Sequence, residues 1–227
     1  MDQPLASLTA ANVAFVGSHF AMSHPLRAPL VRGLGEKGFM GVYTLVSLAS
    51  FAWIVIAFRA VGPGGDLLWN GQAVLPWVLG SLMTLVAIVL IFGSFKGNPA
   101  VPGAPAALAE QQPSGIFTVT RHPMMWGVAV WALAHMLVSP SPRTLVTAGA
   151  MGLLALVGAH LQDRKKAALM GAAWQHWQSR TSFTPRWSRL PGAGVKLWLG
   201  ALVGWLAFSG AHIWLANAPA GVWRWLG

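Results

Sequence analysis

The feature that most limits what this chain can fold into is a series of apolar runs, each close to the length of a membrane-crossing helix and each bounded by glycine, proline or charge. A helix needs about 20 mostly apolar residues to cross a hydrocarbon core of about 30 Å. Such runs extend from Leu8 to Ser23, Met40 to Ala60, Ala73 to Phe95, Pro123 to Ser139, Arg143 to Leu161 and Lys196 to Asn217. The first and fourth are short for full spans. Between the runs lie PLRAPLVRGLGEKG, VGPGGD, KGNPAVPGAPAALAEQQPSG and the stretch from Gln162 to Gly194, all rich in residues that interrupt helices. Composition agrees: 55% of the 227 residues are hydrophobic and 9% are charged, whereas a soluble domain carries about 25% charged residues. The expected fold is therefore an all-α integral membrane bundle of about six transmembrane helices.

The net charge of +10 would suggest nucleic acid in a soluble protein, but its placement points to topology instead. Loops on the cytoplasmic side of a membrane protein are enriched in lysine and arginine. With six spans, one side holds Arg27, Arg32, Lys37, Lys96, Arg121, Arg164, Lys165, Lys166, Arg180, Arg186, Arg189 and Lys196, which is 12 of the 15 basic residues. Only Arg59, Arg143 and Arg224 fall on the other. The expectation is an inner-membrane protein with cytoplasmic basic loops, both termini outside the cytoplasm and no nucleic-acid partner. The N-terminus lacks the basic region of a cleaved signal peptide and carries Asp2, so the first run is expected to stay in the mature protein. Residues 1–7 would form a short periplasmic tail, 8–194 the main membrane domain and 195–227 an additional helix and tail.

Several further segments read simply. Trp69, Trp77, Trp174, Trp177, Trp187, Trp214, Trp223 and Trp225 lie near span ends or in adjoining loops, where interfacial belts are found. Arg164, Lys165 and Lys166 beside Trp174 and Trp177 suggest an amphipathic segment lying on the membrane surface. The stretch Asn98 to Gln112 reads as a flexible linker. Gly62 to Gly65 is a turn lacking the strand and helix of a phosphate loop. A serine triad would have to recruit Asp2, Asp66 or Asp163 from tails and loops, which disfavours a serine hydrolase. With no cysteine, disulfides and thiolate chemistry are excluded.

Ionisable groups inside a membrane are costly and mark functional sites. Here they are histidines. His24, His122, His160 and His176 fall at or outside the basic interface, whereas His19, His135 and His212 lie deeper. Asn12, His19 and Ser23 recur at seven and four residues and share one helical stripe. Met124, Gly127, Trp131 and His135 recur at steps of three and four, placing His135 on a face with an aromatic ring and a glycine that admits something flat. A single such histidine is equally well accounted for by donation to a backbone carbonyl; two or three in a carboxylate-poor bundle favour ligation. Non-haem iron held by two histidines and a carboxylate needs an acid inside a span, and a zinc hydrolase needs three ligands and a base. Haem needs one or two axial imidazoles, an apolar cleft and cations for its propionates; Arg27, Arg32, Arg121 and Arg164 are candidates for the last.

The segment Thr120-Arg121-His122-Pro123-Met124-Met125-Trp126-Gly127, followed by Trp131-Ala132-Leu133-Ala134-His135, resembles the NnrU family and the related 15-cis-zeta-carotene isomerases. Three other segments agree in order: Gly17-Ser18-His19 with Pro25-Leu26-Arg27, Gly35-Glu36-Lys37-Gly38 leading into Tyr43 to Leu48, and Trp174 to Pro185. The resemblance covers roughly residues 12 to 186 and implies a haem b membrane protein in which two histidines ligate iron, only the ferrous form acting on a cis double bond. Carried onto this chain, the metal ligands and catalytic residues are His19 and His135. Around them stand Asn12, Arg27, Arg121, His122, Gly127 and Trp131 as cofactor-binding candidates. The isomerase pattern has a cysteine where this chain has Ala132, so no thiol-dependent redox step is expected.

At 1.5 Å per residue, His19 lies about 7 Å and His135 about 18 Å from the basic end of their spans, an uneven pair. His212 matches His135 in depth better and forms the reserve pair with it. The expected partner is a hydrophobic small molecule or lipid, with cis-trans isomerisation of a polyene as the possible reaction. Other NnrU members imply a haem protein associated with nitrite or nitric oxide reduction. A third reading arises because Arg121-His122-Pro123 with Gly127 also resembles the RHP-x3-G element of membrane methyltransferases that use S-adenosylmethionine. Their further acidic motif would have to be supplied by Asp163.

Overall fold

The computed structural model of the chain describes residues 2–62 and 67–226; Gly64, Gly65 and Asp66 lie outside the described residues. Among those described, the structure is helical and contains no strand. Helix α1 (Gln3–Ser23) starts where Asp2 caps it, its carboxylate accepting the Leu5 N–H at 3.2 Å, with Pro4 in the first turn. After a short turn at His24 to Leu26, α2 runs over Arg27–Val61. Its one non-helical residue is Gly35, at φ +70°, a conformation that a side chain disfavours. The expected breaker before Met40 is thus a single glycine with helix on both sides.

Helix α3 (Val74–Gly93) leads into a long connection holding α4 (Ala107–Glu110) and a tight turn at Gly115–Thr118. Helix α5 (Pro123–Val138) begins on its proline, and α6 (Pro142–Met170) follows. Helix α6 continues well past Leu161 because the polar residues there find partners in the loops. Gln162 Nε2 donates to the Ala100 carbonyl at 2.7 Å, and Lys166 Nζ donates to that of Val101 at 2.7 Å. Gly171, at φ +54°, turns the chain into α7 (Ala172–Arg180). Helix α8 (Val195–Ala216) precedes a C-terminal turn at Gly221–Trp225.

Five of these helices, α1, α2, α3, α6 and α8, are long and apolar enough to cross a membrane; α5, with 16 residues, is shorter. Their outward faces carry exposed apolar side chains such as Leu45, Ile56, Leu75 and Trp214, a surface suited to lipid and not to water. The chain is a multi-pass membrane protein.

The two ends of the bundle are defined by their hydrogen bonds. At one end the α2–α3 and α5–α6 connections meet: Leu68 N–H donates to Pro140, Trp69 Nε1 to Leu137, and Gln72 Nε2 to Val138. The C-terminal turn joins them through Arg224, bonded to the Gln72 carbonyl at 2.7 Å. At the other end the α3–α5 loop meets the segment after α6, with Arg121 N–H donating to Ser182 and Arg186 N–H to Val119. This second, basic end carries the cations that the sequence grouped together.

The expectation of a surface-lying segment after α6 is corrected here. Trp174 and Trp177 are 0% and 2% exposed and sit in the core of the basic end with Val89, Leu90, Phe117 and Leu190. A buried tryptophan contributes more through apolar area than it would at an interface, and α7 folds against α4 to provide that site. Nor is the Asn98 to Gln112 stretch a free linker. Asn98, Ala100 and Ala109 are buried, and Arg180 donates to the carbonyls of Ala109 and Glu110.

Candidate functional site

The deep histidines share one local device. The Nδ1 atoms of His19, His135 and His212 lie 2.7, 2.8 and 2.7 Å from the carbonyl oxygens four residues earlier, those of Phe15, Trp131 and Phe208. A carbonyl only accepts, so each Nδ1 carries a proton, which in the neutral form of the ring leaves the lone pair on Nε2. Proteins orient metal-binding imidazoles through this kind of Nδ1–carbonyl contact.

What differs is where each lone pair goes. His19 Nε2 lies 3.4 Å from the Ser47 hydroxyl, which donates to it from α2, and the ring is wedged between Phe15 at 4.2 Å and Tyr43 at 5.4 Å. The Nε2 atoms of His135 and His212 have no hydrogen-bond partner among the described residues. Instead the two rings face each other, centroids 6.3 Å apart and planes 29° apart. Two imidazoles on opposite sides of one metal ion, with metal–nitrogen bonds of about 2 Å, place their ring centres about 6 Å apart. The centroid spacing is compatible with two imidazoles on one metal ion, and each ring is in the tautomer that leaves Nε2 for it. Trp131 packs on His135 at 4.3 Å and walls one side. His135 lies three residues before the end of α5 and His212 four before the end of α8, so the two are level in depth.

The structure does not bring His19 to this pair. Helix α1 packs on α2 and α6, whereas α5 packs on α3 and α6, so α6 separates the two. His19 is four residues from the basic end of α1, and His135 is twelve residues from the basic end of α5. At 1.5 Å per residue they differ in depth by about 12 Å.

The remaining candidates have other work. Arg121 Nε contacts both Asp163 oxygens at 3.0 Å, with its Nη2 on Oδ2 as well, and His122 Nε2 donates to Asp163 Oδ1 at 2.7 Å. The His122 side chain is 0% exposed and those of Arg121 and Asp163 are 11% exposed. This is a closed three-residue clamp joining the α5 entry to α6, so Arg121 is engaged before any propionate. Gly127 is a helix-packing residue: a Cβ there would meet Ile91 Cγ1 at 2.6 Å and the Ala87 carbonyl at 2.8 Å. What lies flat against it is α3, and the face expected to admit a cofactor is closed there. Asn12 Nδ2 donates to Leu8 O at 2.9 Å and Thr147 Oγ1 at 3.4 Å, tying α1 to α6. Arg27 pairs with Glu36 at 3.2 Å and lies over the Phe39 ring.

Sequence reasoning assigned Asp163 no partner, although its isolation offered a signal: one of only five acids, it stands two residues beyond an apolar run. Such a carboxylate at a bundle end needs a cation, and Arg121 is the one that the loop delivers. Ser47 gave no comparable signal, since serines are common at that depth.

An all-helical, multi-pass membrane bundle with a pair of Nε2-presenting histidines in its apolar part is the class of protein that this fold and site define. Within that class the chain belongs to the NnrU protein family, whose model matches residues 7–220. Curated relatives are the chloroplastic 15-cis-zeta-carotene isomerases of Arabidopsis thaliana, 29% identical over 156 residues, and of Zea mays, 25% identical over 180 residues. These matches cover 67% and 76% of this chain but 42% and 47% of the relatives, so the chain spans less than half their length. No solved structure matches.

Proposed function

We propose that this chain is a haem b membrane protein that isomerises a cis double bond in a polyene, with His135 and His212 as the iron ligands. The observation that carries the reading is the His135–His212 pair, 6.3 Å between centroids with both Nε2 atoms free. Support for the reaction comes from the curated relatives, both isomerases of a carotene. Bound haem would supply redox-active iron chemistry toward a conjugated double bond, held by His135 and His212.

The chain's own residues perform the rest. The Trp131 and Phe208 carbonyls hold the two imidazoles in the tautomer that ligates. The Trp131 ring packs on His135, its more enclosed neighbour, and keeps water from it. His212 stands on the lipid side of α8, beside the exposed Phe208, Ile213 and Trp214. A long apolar substrate dissolved in the bilayer reaches the pair from that side without crossing water. In this reading the basic end faces the cytoplasm of an inner membrane, as the distribution of cations favours.

The test is to add a cis polyene to dithionite-reduced protein in micelles and to follow the trans product by chromatography. Conversion by reduced but not by oxidised protein is the expected result. A protein that carries haem and leaves the polyene unchanged would refute the isomerase and favour a haem component of a respiratory pathway.

A further inference from the structure

At the basic end, on the opposite side of α6 from the Asp163 clamp, a cleft of about 520 Å³ opens between the α1–α2 turn and α6. Its polar wall is formed by His24, Arg27, Arg164 and Lys165, and its apolar floor by Leu161 and Leu169. The volume is that of a small-molecule site, yet nothing in the proposed isomerase chemistry uses it.

Charge in the cleft is not balanced. Glu36, paired with Arg27 at 3.2 Å, is the acid nearest the group. Arg164 and Lys165 form no ion pair or hydrogen bond with any described residue. Other cations at this end behave otherwise: Lys166 turns away to the Val101 carbonyl, and Arg121 is neutralised by Asp163. Burial and the Lys165 ammonium hold the His24 imidazole below its ordinary pKa, the response expected of a group in a positive field. The first turn of α2, with Arg27 and Ala28 lining the cleft, directs the positive end of its peptide dipoles the same way. Two unpaired cations beside the Arg27–Glu36 pair, together with a helix start, call for an anion.

Beside the cations, the wall is one that water does not favour. Leu169, which lines the cleft, is 69% exposed, as is the adjoining Leu26 at 47%, and α2 makes little contact with α6. A free anion would leave those side chains uncovered, whereas an acyl chain running down from the charged group would cover them. Basic pockets between helices at the cytoplasmic face are where anionic headgroups bind.

We propose that this cleft is a binding site for an anionic phospholipid, its phosphodiester held by Arg27, Arg164 and Lys165 and its acyl chains lying along α6 past Leu161 and Leu169. The site is independent of haem and of the His135–His212 pair. Occupied, it fills the gap between the α1–α2 hairpin and α6.

The test is native mass spectrometry of the purified full chain in detergent, titrated separately with phosphatidylglycerol, phosphatidylcholine and inorganic phosphate. One variant is Arg164→Gln with Lys165→Gln. A control, Arg186→Gln with Arg189→Gln, removes two exposed basic groups elsewhere at the same end. The expected result is a saturable phosphatidylglycerol adduct, weakened roughly tenfold or more in the Arg164/Lys165 variant and kept in the control. Equal retention of phosphatidylcholine would overturn the proposal, as would equal loss in both variants. Inorganic phosphate that displaces the lipid at matching concentration would make the cleft a soluble-anion site instead. Unchanged melting of the lipid-free variants shows that any loss of binding is not a loss of fold.

Discussion

Asp163→Asn removes one negative charge and almost no volume, and it tests whether the Arg121–His122–Asp163 clamp is a unit. The carboxylate receives Arg121 Nε and Nη2 and His122 Nε2, with Arg121 and Asp163 side chains 11% exposed and His122 fully enclosed. An amide keeps one oxygen for at most two of those donors and turns its own N–H groups toward the guanidinium. Arg121 is then a buried cation with no counter-charge, a loss of about 3–5 kcal/mol where one partner of a buried pair is removed. Replacing both members with apolar residues, Arg121→Met and Asp163→Leu together, removes the stranded charge and leaves only the His122 N–H unsatisfied, at about 1–3 kcal/mol. The double variant is therefore expected to be no less stable than Asp163→Asn, and the cycle closed with the single variants Arg121→Met and Asp163→Leu should show a coupling of about 2 kcal/mol. Equilibrium unfolding in mixed micelles measures this. The reasoning is refuted if Asp163→Asn costs under about 1 kcal/mol, or if the two sites add within about 0.5 kcal/mol.

Three further outcomes follow from the same packing. Gly127→Ala drives a methyl group into Ile91 and the Ala87 carbonyl, so α3 and α5 must separate; a loss of about 1–3 kcal/mol is expected in the same unfolding assay. Trp174→Ala empties a fully buried site and should cost about 3–5 kcal/mol, whereas Trp187→Ala, on an exposed indole, should cost little. Alkaline phosphatase fused after Leu226 should be active, and fused within the α3–α5 loop inactive, since the basic end is assigned to the cytoplasm; the reverse pattern would invert the assignment.

The apolar runs made the helices legible because lipid, as solvent, demands length and continuity, and five of the six helices end near the residues that bound those runs. Boundaries failed where polar residues found partners far along the chain. Helix α6 passes Leu161 because Gln162 and Lys166 meet the carbonyls of Ala100 and Val101, more than sixty residues earlier, and no local pattern announces that. The same blindness made the Arg164 to Lys166 triplet beside two tryptophans look like a surface helix. In the fold its members diverge, Lys166 toward a loop and Arg164 and Lys165 toward the cleft.

At the candidate site, the helical stripe picked out His135 and Trp131, which do lie together. It could not report that the same face closes on α3 at Gly127. Depth arithmetic from span ends was informative because α-helical rise is fixed: it favoured His212 over His19 as the level partner of His135, and those two rings are the ones that meet. Ser47 occupying the lone pair of His19 was beyond any reading of spacing.

The most direct test of the central claim is the visible absorption spectrum of protein purified after haem-replete expression, oxidised and reduced, for the wild type and for His19→Ala, His135→Ala and His212→Ala. The wild type and His19→Ala are expected to show the Soret and low-spin bands of bis-histidine haem b, and His135→Ala and His212→Ala their loss or conversion to a high-spin spectrum. A low-spin spectrum that survives His212→Ala and disappears in His19→Ala, or a wild-type protein with no Soret band at all, would contradict it.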